Sequence, residues 1–276
     1  MAVEQPDDFD AVRSEPDPIR RGRRATALMS IYQQRATELA RVRREAIEEA
    51  HRAQGLTYTE IAASLGITKG RVTQIRAGAP PRERAFFGVG PVKVGVPLRV
   101  GTDDRMRSYI DASDVATQED TTTLLTTLAL ATEPYTIAPD ATAPPDGDVV
   151  VICGPKSAPI GAQLLAEDPC LTMVREDRWW LVNKATGDRW GSPLADDPPT
   201  NADLGYLSRR RDGDRVLVHI AGIRSPGSRG VLHYLARYLR ELWAETGESE
   251  FSAVVRCELD GLTVTESRLF AGPFPW

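Results

Sequence analysis

The chain has 276 residues, 41% of them hydrophobic, enough to bury a sizeable core and more than one small domain needs. Its net charge of −5 hides an asymmetry: residues 12 to 85 carry 15 Arg and Lys against 8 Asp and Glu, while the first eleven residues and everything after Ala85 are net acidic. No apolar run reaches the roughly 18 residues of a membrane helix, the acidic start lacks a signal-peptide core, and three cysteines without a CxxC spacing argue against zinc or a disulfide framework, so a cytoplasmic chain without metal or cofactor is expected.

Residues 1–24 read as a disordered arm, acidic and proline-containing to about residue 19 and then basic at Arg20, Arg21, Arg23 and Arg24. That cluster suits either phosphate contact by a flexible arm or a solvated charge run. Residues 25–78 read as a helical DNA-binding domain. In its first part Leu28, Ile31, Ala36, Leu39, Val42, Ile47 and Ala50 form an apolar face, with Arg41, Arg43, Arg44, Glu45, Glu48 and Glu49 opposite. The stripe is too irregular for a coiled coil.

The stretch Thr57–Ala77, TYTEIAASLGITKGRVTQIRA, organises the rest. Leu56, Ile61, Leu65, Ile67, Val72 and Ile75 supply apolar positions, and Ala62 is small where two helices cross. Gly66 stands where a tight turn needs positive φ. Thr57 and Glu60 make a capping box, Leu56 and Ile61 a hydrophobic staple, and Gly55 can end the preceding helix. Thr68 can cap a second helix whose N-terminus then favours a phosphate. With Val72 and Ile75 turned inward, Thr68, Lys69, Arg71, Thr73, Gln74 and Arg76 are the candidates to contact DNA. Arg71 or Arg76 suits guanine, Gln74 adenine and Thr73 a thymine methyl, while Lys69 suits phosphate.

On Thr59-Glu60-Ile61-Ala62, Leu65-Gly66-Ile67 and Gly70-Arg71-Val72-Thr73-Gln74-Ile75 the stretch resembles the helix-turn-helix of bacterial regulators, most closely region 4 of sigma factors. The resemblance covers about a quarter of the chain and implies reading of double-stranded DNA in the major groove. One helix pair gives little affinity, so a homodimer on two half-sites is expected.

Residues 79–87 read as a linker, on Gly78, Pro80 and Pro81. Residues 88–276 read as an α/β layered, Rossmann-like domain for sensing or assembly. The spacing predicts a strand over 89–100, a helix over 111–131 and a short strand over 134–138. Asp148–Cys153 is a strand buried on both faces, followed by a short helix over 160–166. A hairpin is expected over 172–183, a loop over 190–202, a second buried strand at Arg215–Ile223 and a helix over 230–246. Two final strands meet at Asp260-Gly261.

Two loops after buried strands invite a small anionic ligand: Cys153–Ser157 and Gly222–Gly230. Gly154, Lys156, Ser157, Arg224, Gly227, Ser228, Arg229 and Gly230 are the candidates, with two plain strand-to-helix turns as the alternative. Neither loop is a P-loop: Gly222 and Gly227 have the spacing but Ser228-Arg229 follows, and only Gly227-x-x-Gly230 survives of a dinucleotide fingerprint. No catalytic set emerges. His51 lies in the DNA-binding half, His219 inside a strand and His233 on a helix; Cys153 has no identifiable base, and the pairs Asp103-Asp104 and Asp196-Asp197 read as turns. The chain therefore reads as a non-enzymatic transcriptional regulator. The alternatives are a nucleotide-binding signalling or defence effector, or an enzyme, targeted by its helix-turn-helix, or a sigma-like polymerase partner.

Overall fold

The computed structural model describes residues 8–102, 105–261 and 263–276, so the expected Asp103-Asp104 turn and the first seven residues of the arm lie outside it. The chain divides into two compact units, one running to Arg82 and taking in Val89–Pro91, the other made of Glu83–Gly88 and Val92–Trp276.

The first unit is helical: α1 (Asp8–Arg13), α2 (Pro18–Gln54), α3 (Tyr58–Ser64) and α4 (Lys69–Gly78). Of the arm expected to be disordered, residues 8–24 are mostly helical instead. Asp17 accepts the Arg20 N–H at 2.8 Å and Pro18 opens the helix, an N-cap followed by the one residue that loses nothing at the first position. The basic cluster thus lies on the first turns of α2, where Arg24 pairs with Glu15 at 3.1 Å. The phase of α2 is also corrected. Leu39 and Val42 are exposed at 68% and 45%, whereas Arg41 is 5% exposed. Arg41 is held by Glu38 at 2.5 Å and Glu45 at 2.7 Å, which satisfies the charge its burial would otherwise strand. Only the C-terminal part of α2 meets α3 and α4, through Ile47 in a core with Ile61, Ala62, Val72 and Ile75. Leu56 and Ile67 flank that core, while Leu65 is half exposed. The capping box closes as expected: Thr57 accepts from the Glu60 N–H at 3.3 Å and Glu60 accepts from the Thr57 N–H at 2.8 Å. Gly66 sits at φ 65°, which a side chain would strain.

The second unit begins inside the expected linker. A 3-10 helix over Arg82–Phe87 sends Phe86 and Phe87 fully into the core, so residues 83–87 are body rather than connection. There follow β1 (Val92–Pro97), β2 (Arg99–Thr102), β3 (Met106–Tyr109), α5 (Ala112–Thr127), β4 (Thr132–Ile137) and β5 (Val149–Ile152). Next come α6 (Pro159–Glu167), β6 (Leu171–Arg175), β7 (Trp179–Asn183), β8 (Arg189–Gly191) and β9 (Ala202–Asp212). The chain finishes with β10 (Arg215–Gly222), α7 (Ser225–Thr246), β11 (Phe251–Asp260) and β12 (Thr263–Pro275).

Seven strands form one mixed sheet in the order β12-β11-β9-β10-β5-β1-β4. β10, β5, β1 and β4 run parallel, and β10, β9, β11 and β12 alternate antiparallel. Alternation sets the layers. Val94, Val150, Ile152, Val218 and Ile220 face α5 and α7, while Val149, Val151 and Leu217 face α6. Beside α6 a small sheet, β6-β7-β8, packs Leu171 and Leu181 against Leu204, Tyr206 and Ala221. All four residues of β5 are buried, each contributing about 1.5–3 kcal/mol of apolar burial. Strand β9 is absent from the sequence reading. Its Arg209 is 1% exposed yet donates to the carbonyls of Phe86 at 3.0 Å and Glu248 at 2.7 Å, partners remote in sequence.

Candidate functional site

In the first unit the turn after α3 aims α4 so that Val72 and Ile75 are buried and Lys69, Arg71, Thr73, Gln74 and Arg76 are exposed. Thr68 caps α4, its Oγ1 accepting the Arg71 N–H at 3.1 Å. Arg71 donates to Gln74 Oε1 at 3.1 Å, so the two present a joined pair of donor and amide. Thr73 donates back to the Lys69 carbonyl at 3.3 Å, which leaves its methyl outward. Arg76 lies over the Tyr58 ring at 4.2 Å and is tied to α3. A cavity of about 220 Å³ between α2 and α4 is lined by Ala40, Arg43, Arg71, Gln74 and Gly78. It adds Arg43, which the sequence placed only on a charged face.

In the second unit the carboxyl ends of β1, β5 and β10 meet at one cleft. Pro97 ends β1, Cys153 and Gly154 follow β5, and Gly222 ends β10. From β1 the chain passes through α5 to β4 on one side, and β5 leads towards β10 on the other. The strand order therefore reverses beside the cleft, the place where open parallel sheets hold ligands. Of the expected residues the cleft gathers Gly154, Lys156, Ser157, Arg224 and Ser228. Arg99, Asp114 and Ser225 join them. Arg99 was hidden inside a strand read as continuous to residue 100; the chain instead ends β1 at Pro97 and turns into β2.

The other expected residues have different places. Helix α7 starts at Ser225 rather than near Gly230, so Gly227, Ser228, Arg229 and Gly230 are helical. A Cβ on Gly227 would stand 2.2 Å from the Leu204 carbonyl, and one on Gly230 would stand 2.5 Å from Cys257 Sγ, so both glycines serve the packing of α7 on the sheet. Arg229 faces Asp120 at 3.6 Å, in a separate cavity of about 340 Å³ shared with Thr127, Leu232, His233 and Arg237. Two of the amides at the start of α7 are already taken. Asp203 Oδ2 accepts from Arg224 N–H at 3.1 Å and from Gly227 N–H at 2.8 Å. Gly222 N–H donates to Ser228 Oγ at 2.8 Å.

The electrostatics of the cleft follow. Asp114 is 8% exposed; burial pushes its carboxyl up although Arg99 donates to it at 2.7 Å. Lys156 is held below the usual lysine value, first by desolvation of its ammonium and then by the charges of Arg99 and Arg224. Burial pushes the Cys153 thiol up to about 12, which removes it as a nucleophile. His219 is fully buried, its Nε2 2.8 Å from the Cys153 carbonyl, and burial lowers it to about 4. It is a neutral core histidine that braces the end of β5.

No family model, curated protein or solved structure matches the chain.

Proposed function

We propose that the protein is a sequence-specific DNA-binding transcriptional regulator. In this reading α3 and α4 act as a helix-turn-helix of the kind found in sigma-factor region 4, with α4 in the major groove. The observation that carries it is the division of α4: Val72 and Ile75 hold it to the core, and its exposed face offers Lys69, Arg71, Thr73 and Gln74 without one acidic residue. Thr68 and Lys69 stand at the helix start, suited to phosphate; Arg43 and the Arg20–Arg23 surface of α2 add basic contacts. Arg71 and Gln74, side by side on the exposed face, are the residue types that read guanine and adenine edges. A homodimer on two half-sites supplies the affinity that one helix pair lacks. The second unit, Rossmann-like in its parallel half, senses a small anionic ligand in a cytoplasmic protein; among the described residues no helix is long and apolar enough to cross a membrane.

The test is selection of a binding site from random duplexes, followed by gel-shift titration. Arg71→Ala with Gln74→Ala is expected to weaken the selected site by about 30-fold or more, each lost base contact being worth roughly 1–3 kcal/mol, with the circular dichroism unchanged. Equal binding by the double variant and the wild type removes α4 from the groove.

A further inference from the structure

Among the described residues, Asp114, Asp111 and Asp203 around the cleft at the ends of β1, β5 and β10 each accept from the chain itself, although Asp203 Oδ1 is left without a donor. Asp114 is held by Arg99 at 2.7 Å. Asp111 caps α5, accepting from Ser113 N–H at 2.9 Å and Ser113 Oγ at 2.5 Å. Asp203 is buried behind the start of α7 and accepts its amides. The cations are not matched in the same way. Among the described residues neither the Lys156 ammonium nor the Arg224 guanidinium makes a hydrogen bond or ion pair, and the hydroxyls of Ser157 and Ser225 beside them have no partner either. Arg99 Nε is buried without an acceptor at the same place.

Two unpaired cations, two free hydroxyls and a buried guanidinium N–H thus converge on a small space. The enclosed part of that space is about 20 Å³, room for little more than a water, so a ligand group that meets all these donors rests at its open mouth. The group that fits has two negative charges and several acceptor oxygens in a tetrahedral spread. A single carboxylate has too few acceptors for these donors, and charge-assisted bonds to Arg and Lys are the strong ones.

We infer that this cleft binds the terminal phosphate of a small phosphomonoester or diphosphate, with Lys156 and Arg224 clamping the oxyanion, Ser157 and Ser225 donating to it, and the rest of the ligand lying outside. The inference rests on the sensing half of the regulator reading and does not need the DNA-reading half. Because Asp203 already takes the Arg224 and Gly227 amides at the start of α7, the cleft recognises its ligand chiefly through side chains. Arg99 acts as the positioning residue, fixed by Asp114 on one side and exposing Nε on the other.

The experiment is calorimetric titration of the full chain with inorganic pyrophosphate, a nucleoside 5′-monophosphate and a hexose 6-phosphate. At least one is expected to bind, and the tighter of the two organic probes names the source of the phosphate. Lys156→Gln with Arg224→Gln is expected to weaken binding at least about tenfold, since each charge-assisted contact carries about that much. Lys156→Arg is expected to retain it. Both side chains are exposed and make no bond within the protein, so an unchanged melting midpoint without ligand shows that the variants fold. Arg71→Ala with Gln74→Ala separates the two readings, because it removes the DNA contacts and is expected to leave pyrophosphate binding untouched. No binding of any probe at millimolar concentration, equal binding by the Lys156/Arg224 variant, or loss in the α4 variant alone would each overturn the assignment.

Discussion

The carboxylate of Asp203 is wholly buried and accepts two amides at the start of α7, the work that a bound phosphate does at other helix starts. Burial raises its pKa, and those backbone donors, which favour the ionised form, oppose that rise. Asp203→Ala leaves the Arg224 and Gly227 N–H groups without their acceptor and is expected to cost about 1–2 kcal/mol, measured by chemical denaturation. Glycines and a helix start suggest an anion here, and the chain's own Asp203 meets two of the amides. At Gly227 and Gly230 close packing against Leu204 and Cys257 demands glycine as firmly as a phosphate would, so their presence does not by itself mark a ligand. Lys156 and Arg224 were visible because a charged residue just past a buried strand stands at the sheet's ligand end whatever follows. Asp203 was not, because it reaches the turn from a strand 21 residues upstream of Arg224.

At the scale of elements, local signals were read well and tertiary ones poorly. The caps of α3 and α4, the Gly66 turn and strand β5 depend on neighbours a few residues away, and the sequence carries them. The phase of α2 depends on what lies beside it. Among the described residues its part before Ile47 joins no apolar core, so ion pairs rather than the apolar stripe decide which side is buried, and Arg41 goes in while Leu39 stays out. Strand β9 was hidden by three consecutive arginines, one of which is solvated by carbonyls from other parts of the second unit. Removing Arg41 leaves two acids at close quarters on a helix. Arg41→Ala is expected to lower the stability of the first unit by about 2–3 kcal/mol, less than a fully buried pair would lose because Glu45 is partly exposed. Helicity loss on heating, followed by circular dichroism against the wild type, measures it.

At the scale of the molecule, acid is expected to act through the sheet's centre. His219 on β10 titrates near 4 when folded against an ordinary 6.5, so between these values the unfolded chain holds more protons and the folded state is disfavoured as pH falls. Above 6.5 the group has no effect on stability. Between about pH 7 and about pH 5 this histidine is expected to remove roughly 2 kcal/mol, read from denaturation midpoints. His219→Gln should lose that component, which separates it from buried Asp114 and Asp203, whose raised values act in the opposite sense.

The strand order also sets a timetable. The antiparallel half closes through short turns, between β9 and β10 and again at Asp260-Gly261, each a local event. Strand β5 meets β10 only after α6, the three-stranded sheet and β9 have been strung between them. During synthesis β1 and α5 precede Val149–Ile152 and α6 follows it at once, but the edge of β5 that pairs with β10 waits open while some seventy further residues emerge, as loop-closure arguments for non-local strands imply. That open edge is a place where a chaperone or the strand of a neighbouring unfinished chain can pair before β10 does.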